Sequence, residues 1–247
     1  SEMCIRDSYP FIQFQTSLAT SPFISHLNPK VWDTSTPSPA TDHSPLIIPL
    51  KHGHPYPAQC QYPIPQQTLR GLKPVITHLV QRGLLVPTNF PYNSPILPVQ
   101  KPGKSYRLVQ DRHLINQIVL SIHPVVPNLY TLLSSIPPST IHYSVIDLKD
   151  AFFTIPLHPS SQPLFAFTWT DPDTHQSQQL TWTVLPQGFR DSPHYFGQAL
   201  SHDLLSFHLS ASHLIQYFDD LLLCSPSYQS SQQDTILLLQ HLYSKGY

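Results

Sequence analysis

The sequence predicts an α+β fold. Strand-type alternation and helix-type periodicity are mixed along the chain without a repeating strand–helix–strand order. Two alternating aromatic segments flank a polar turn, and two segments with readable helix caps lie toward the C-terminus.

In order, Ser1–Ser8 (SEMCIRDS) resembles a translated sequencing-adapter or cloning scar and is left out of the fold. Residues 9–44 are rich in Ser, Thr and Pro without periodicity, so they read as a flexible lead-in. Pro45–Leu50 is a short apolar strand bounded by prolines. From Gln66 to Arg82, Leu69, Leu72, Ile76, Leu79 and Val80 recur at helical spacing, with Gly83 as the stop and Pro74 as a kink or fresh start. Pro95–Val99 and Tyr106–Gln110 read as strands around a Lys101–Lys104 turn. His142–Asp147 and Phe152–Leu157 read as strands. Leu164–Thr170 and Gln179–Leu185 pair across the polar turn Asp171–Gln178. Ser192-Pro193 caps a helix running to about Leu209, and a last helix runs from Gln229 to Ser244, closed by Gly246.

The composition narrows the function classes. Charged residues are only 11% of the 247, and a net charge of −1 gives no overall attraction for nucleic acid. Any such role must rest on a few well-placed basic residues. No apolar stretch is long enough to span a membrane and no signal-peptide core is present, so a cytoplasmic or nuclear location is expected. Cys4, Cys60 and Cys224 have no paired spacing, which argues against a disulfide framework or a zinc site.

Asp219 and Asp220 carry the most information. They lie inside an apolar run, Leu214 to Leu223, and a further acid, Asp147, closes the apolar segment before Leu148. A carboxylate taken out of water must be paired or must hold a cation. A strand ending in one acid and a hairpin carrying two could bring three carboxylates around hard divalent cations, as two-metal phosphoryl transfer requires.

Six colinear segments resemble gammaretroviral reverse transcriptases. They are Pro45–Lys51 (PLIIPLK), Tyr106–Asp111 (YRLVQD), Asp147–Phe153 (DLKDAFF), His158–Phe167, Gln179–Phe189 (QLTWTVLPQGF) and Gln216–Leu223, with the signature Tyr217-Phe218-Asp219-Asp220 in the last. The resemblance implies a right-hand polymerase fold with an antiparallel palm sheet backed by helices. It also implies an RNA- and DNA-directed DNA polymerase acting on dNTPs and a primed RNA or DNA template. Asp147, Asp219 and Asp220 would be the catalytic ligands of two Mg²⁺ ions, with Mn²⁺ as a substitute. Lys101 and Arg107 would grip the triphosphate. Asp150 and Ala151 would offer backbone amides, Phe152 would exclude a 2′-hydroxyl, and Gln187 would line the nucleotide pocket.

Within that resemblance, fingers are expected at about 45–121 and 155–191 and palm at about 122–154 and 192–247. Thumb, connection and RNase H would be absent. Intact relatives would carry the domain in the virion, and the sequence is silent on a partner subunit. The alternative is a catalytically silent, truncated remnant with at most residual nucleic-acid binding. Two departures bear on the choice. Arg112-His113 stands where relatives read Leu-Arg, and the variable residue of the signature is Phe218 rather than valine or methionine.

Overall fold

The computed structural model describes residues 31, 43–53, 55–100, 106–120, 122 and 128–247. Helix α1 (Gln66–Gln81) is followed by β1 (Leu85–Thr88), β2 (Ile96–Gln100), β3 (Tyr106–Gln110), α2 (His113–Ile118) and α3 (Leu129–Ser134). Strand β4 (His142–Asp147) precedes two 3-10 turns, at Ala151–Thr154 and Gln162–Phe165. The chain continues through β5 (Phe167–Thr170), β6 (Ser177–Trp182), α4 (Ser192–Leu204), β7 (His213–Tyr217), β8 (Asp220–Ser225) and α5 (Tyr228–Lys245).

The strands form three small antiparallel sheets, ordered β1-β6-β5, β2-β3 and β4-β8-β7. A single apolar core runs beneath them. Phe165, Phe167, Phe189 and Phe196 are fully buried in it, each worth about 1.5–3 kcal/mol of apolar burial.

Helix α1 buries Leu69, Leu72, Ile76 and Leu79, the stripe its spacing predicts, and Gly83 follows it at φ +68°. The helix passes through Pro74 without restarting. Pro74 lacks an N–H, yet packing against β3 keeps the helix continuous. Gly71 makes that packing possible, because a Cβ there would overlap Cε2 and Cδ2 of Tyr106.

The β4-β8-β7 sheet has two unlike faces. Ser144 turns toward α5, with its Oγ 3.1 Å from Ser231 Oγ and accepting from Thr235 Oγ1 at 3.3 Å. The alternate residues Tyr143 and Val145 are 55% and 73% exposed on the other face. Strand alternation therefore places Asp147 on the open face.

Helix α5 starts with a capping box between Ser227 and Ser230 and ends at Gly246 in the left-handed region. Its buried Asp234 accepts from the N–H groups of Ser210, Ala211 and Ser212 and from Ser210 Oγ. That carboxylate fixes the loop leading into β7.

Four expectations need correction. Phe152–Leu157 is not a strand: Asp150 sits at φ 56°, the chain closes a 3-10 turn over Ala151–Thr154, and only isolated bridges follow. Pro45–Leu50 likewise makes only two bridges, Leu46 to Leu157 and Leu50 to Val119, because prolines limit its ladder donors. The Leu164 segment begins in a 3-10 turn, so its strand starts at Phe167, and β6 ends at Trp182. Helix α4 stops at Leu204, as the following loop is claimed by Asp234. The Lys101–Lys104 turn lies outside the described residues.

Candidate active site

The register of β4 against β8 pairs Ile146 with Leu221 and Asp147 with Asp220. Residues directly opposite in an antiparallel pair project from the same face, with Cβ atoms about 5 Å apart. Strand β7 adds Tyr217 opposite Asp220, and the two residues between them, Phe218 and Asp219, form the hairpin loop. Phe218 has φ 53°, as the first central residue of a tight hairpin turn of this hand requires. Its ring packs edge-on to Tyr217 at 4.9 Å. The Gln216 side chain braces the turn by donating to the carbonyls of Phe218 (3.2 Å) and Gly197 in α4 (3.0 Å) while accepting from Ser201 Oγ (2.7 Å).

All three acids thus gather at one end of one sheet. The Asp220 carboxyl is pushed above its ordinary value by burial, then by the charges of Asp219 and Asp147. The donors are hard carboxylate oxygens with mutual repulsion to relieve, which suits Mg²⁺ or Mn²⁺ chemically. As the side chains stand, no group of three His, Cys, Asp or Glu among the described residues converges tightly enough to enclose a metal ion.

Beside the acids runs a hydrogen-bonded row. Arg107 Nη2 on β3 donates to Gln187 Oε1 at 2.8 Å, and Gln187 Nε2 donates to Asp150 Oδ1 at 3.3 Å. Gln187 comes from the turn before Gly188, which needs φ +83°. Ala151 and Phe152 follow Asp150 in the 3-10 turn, with Ala151 buried and the Phe152 ring half-buried, edge-on to Phe196 at 5.8 Å. Five of the six residues expected at a nucleotide lie in this row or its continuation. The sixth, Lys101, lies outside the described residues.

The sequence reading missed Arg112. At the Arg112-His113 departure the two side chains part, and His113 is drawn to Asp111, Nδ1 to Oδ1 at 2.5 Å. Arg112 instead turns inward, only 5% exposed, above the Phe165 ring at 5.9 Å. Its Nη1 donates to the Gln187 carbonyl, its Nε has no partner among the described residues, and burial pushes the guanidinium down to about 9. A charged residue reads as surface in sequence, so no local signal pointed to this.

Comparison with known proteins follows the same residues. A family described as "Reverse transcriptase (RNA-dependent DNA polymerase)" matches residues 99–247. The Gag-Pol polyproteins of woolly monkey sarcoma virus and gibbon ape leukemia virus are each 48% identical over 225 residues, 90% of this chain. That of koala retrovirus is 47% identical over the same length. The chain spans 13% of the length of these relatives. Among solved structures, the prototype foamy virus protease-reverse transcriptase CSH mutant matches with a TM-score of 0.68 and 30% identity, over 79% of this chain and 25% of that one.

Proposed function

The chain belongs to the reverse transcriptase family, of gammaretroviral type, and from that premise we propose that it carries the nucleotidyl-transfer centre of an RNA- and DNA-directed DNA polymerase. The observation that carries this reading is the register that sets Asp147 opposite Asp220, with Asp219 in the adjoining turn.

In this reading Asp147, Asp219 and Asp220 hold two divalent cations, Mg²⁺ or in its place Mn²⁺. Such ions, when bound, make a primer 3′-hydroxyl more acidic and neutralise charge on the departing pyrophosphate. Everything else is positioning. Arg107 exchanges its bond to Gln187 for phosphate oxygens, which its planar fork matches in pairs. Lys101 adds a point charge, and the backbone at Asp150 and Ala151 faces the triphosphate. Gln187, freed from Arg107, lines the nucleotide. Phe152, backed by Phe196, discriminates by clash: its ring occupies the space a ribose 2′-hydroxyl would need.

The substrates are a dNTP and a primed RNA or DNA template. Fingers would comprise about 45–121 and 155–191, and palm about 122–154 and 192–247. Kinship with Gag-Pol polyproteins supports placing this work in the virion, and the cytoplasm or nucleus is proposed from the sequence, which carries no recognisable signal-peptide core.

Primer extension on poly(rA)·oligo(dT) with Mg²⁺ or Mn²⁺ tests the proposal. The assay would use the chain itself and a chimera in which it replaces the matching segment of the gibbon ape leukemia virus enzyme. Extension that disappears with Asp219→Asn is the expected result. No extension from either protein would leave the remnant reading in its place.

A further inference from the structure

Gln187 leaves the chain from a turn, 186–188, that is held on both sides. Upstream, the Leu185 N–H donates to the Ile155 carbonyl at 2.8 Å, and the buried Ser192 Oγ donates to the Pro186 carbonyl at 2.9 Å. Downstream, the Gln187 carbonyl has one donor among the described residues, Arg112 Nη1. Peptide units are planar, so a Cα between two anchored planes keeps neither of its soft dihedrals free. The side chain is thereby aimed one way, to Arg107 at 2.8 Å and Asp150 at 3.3 Å.

Arg112 is itself firmly rooted between β3 and α2. The Asp111 N–H donates to the Pro95 carbonyl and the Asn116 N–H to the Arg112 carbonyl, each at 2.8 Å. Just before them, the buried Gln110 donates to the carbonyls of Ser94 and Phe165. Its guanidinium also meets the turn closely: a Cβ on Gly188 would lie 2.9 Å from Nη1.

Packing alone does not account for an arginine here. A leucine could cover the Phe165 ring without taking a charge out of water. The guanidinium is instead buried, with Nε unpartnered among the described residues. A costly buried side chain whose bond goes to the backbone of a pocket residue is placed to orient that residue.

We infer that Arg112 is a positioning residue: by holding the Gln187 carbonyl it fixes the peptide plane after Gln187 and keeps that side chain between Arg107 and Asp150. Its consequence for dNTP binding rests on the reading of Gln187 as lining the nucleotide.

The test has two readouts. In ¹⁵N spectra of the full chain, the Gln187 side-chain amide is assigned by its loss in Gln187→Ala. Arg112→Leu should move it toward the position of a free glutamine, while urea unfolding shows the fold intact. In primer extension by the chimera, the same change should raise the KM for dTTP roughly tenfold, about the worth of one hydrogen bond from a charged donor, with kcat little altered. A merely structural role would lower the active fraction, and so kcat, and leave KM alone. In a Gln187→Ala background Arg112→Leu should add nothing to KM. Should Arg112→Leu fail to fold, Arg112→Met, which keeps the length and removes the donors, takes its place. A parent chimera that extends no primer would defeat the polymerase reading, and the amide alone would then decide the positioning. A Gln187 amide unmoved by loss of the guanidinium, or a KM effect that persists in full without the Gln187 side chain, would overturn the inference.

Discussion

Asp147 and Asp220 face each other across the β4–β8 ladder, two carboxylates on the same face of one sheet with Asp219 one residue away. Like charges opposite one another weaken a strand pair. Because the folded pKa of Asp220 is raised, the folded chain holds its proton more tightly than the unfolded chain. Stability should therefore fall as pH rises through the window just above 3.8. Asp147→Asn should reduce that loss in thermal melts while abolishing primer extension. Mg²⁺ in hundredfold excess over its Kd should stabilise the parent at neutral pH by about 2.7 kcal/mol, and EDTA should remove the gain. A metal-free chain whose melting is the same for parent and Asp147→Asn across pH 4–7 would contradict the repulsion.

Arg112 should be a destabilising residue. Its guanidinium is buried above Phe165, and among the described residues it has no carboxylate partner and one acceptor, the Gln187 carbonyl. Replacing even a buried ion pair by apolar side chains of similar volume is often neutral or stabilising by about 1–4 kcal/mol, and a guanidinium without a counter-ion has no Coulombic gain to lose. Arg112→Leu should fall toward the low end, since it orphans that carbonyl. A base whose folded pKa is lowered to about 9 is most costly below pH 9, and the cost fades as pH rises from there toward its unfolded value. Urea unfolding at pH 7 and pH 10 should thus show the advantage of Arg112→Leu shrinking at the higher pH.

Gly71 and Tyr106 should be energetically coupled. A methyl group at Gly71 overlaps the Tyr106 ring, so Gly71→Ala should cost about 1–3 kcal/mol by overpacking. Adding Tyr106→Leu should recover part of the loss, giving a non-additive double-mutant cycle. Because Tyr106 precedes Arg107, the single variant should also raise the KM for dNTP more than it lowers kcat. Additive effects would place the strain elsewhere.

Asp234 should be a remote determinant of the acidic hairpin. Burial raises its carboxyl pKa, but hydrogen bonds from Ser212 and Ser210 outweigh that, and the net shift is downward. Its contribution is present above pH 3.8 and lost as pH falls through the lower folded value. Asp234→Ala should cost about 2–4 kcal/mol at pH 7 by leaving the loop N–H groups unmatched. The difference between parent and variant should narrow in acid, as read by denaturant titrations at pH 7 and pH 3.

The sequence made some of this legible and hid the rest for identifiable reasons. The hairpin around Asp219, the strand ending at Asp147 and the Gly246 stop of α5 were readable because alternation, a polar interruption and a terminal glycine are local signals, whereas the Ser227 cap of α5 went unread. Phe152–Leu157 misled because a short apolar run cannot tell a strand from a 3-10 turn, and the left-handed Asp150 that decides it leaves no pattern. Strand β1 was masked by Pro87, and α2 and α3 are each too short, at six residues, to show a period. Arg112 was invisible as a site residue, because its burial and its bond to the Gln187 carbonyl exist only once the chain is folded.

The pairing of β4 with β8 also sets how the centre tolerates insertions and deletions. Side chains on a strand alternate, so adding or deleting one residue between Ser144 and Asp147 would rotate the first acid toward the helices while the doublet stayed outside. A two-residue change would keep the orientation and merely shift the contact along the strand. Odd-length indels should therefore extinguish the centre even where every acid survives, whereas even-length ones leave something that selection could repair.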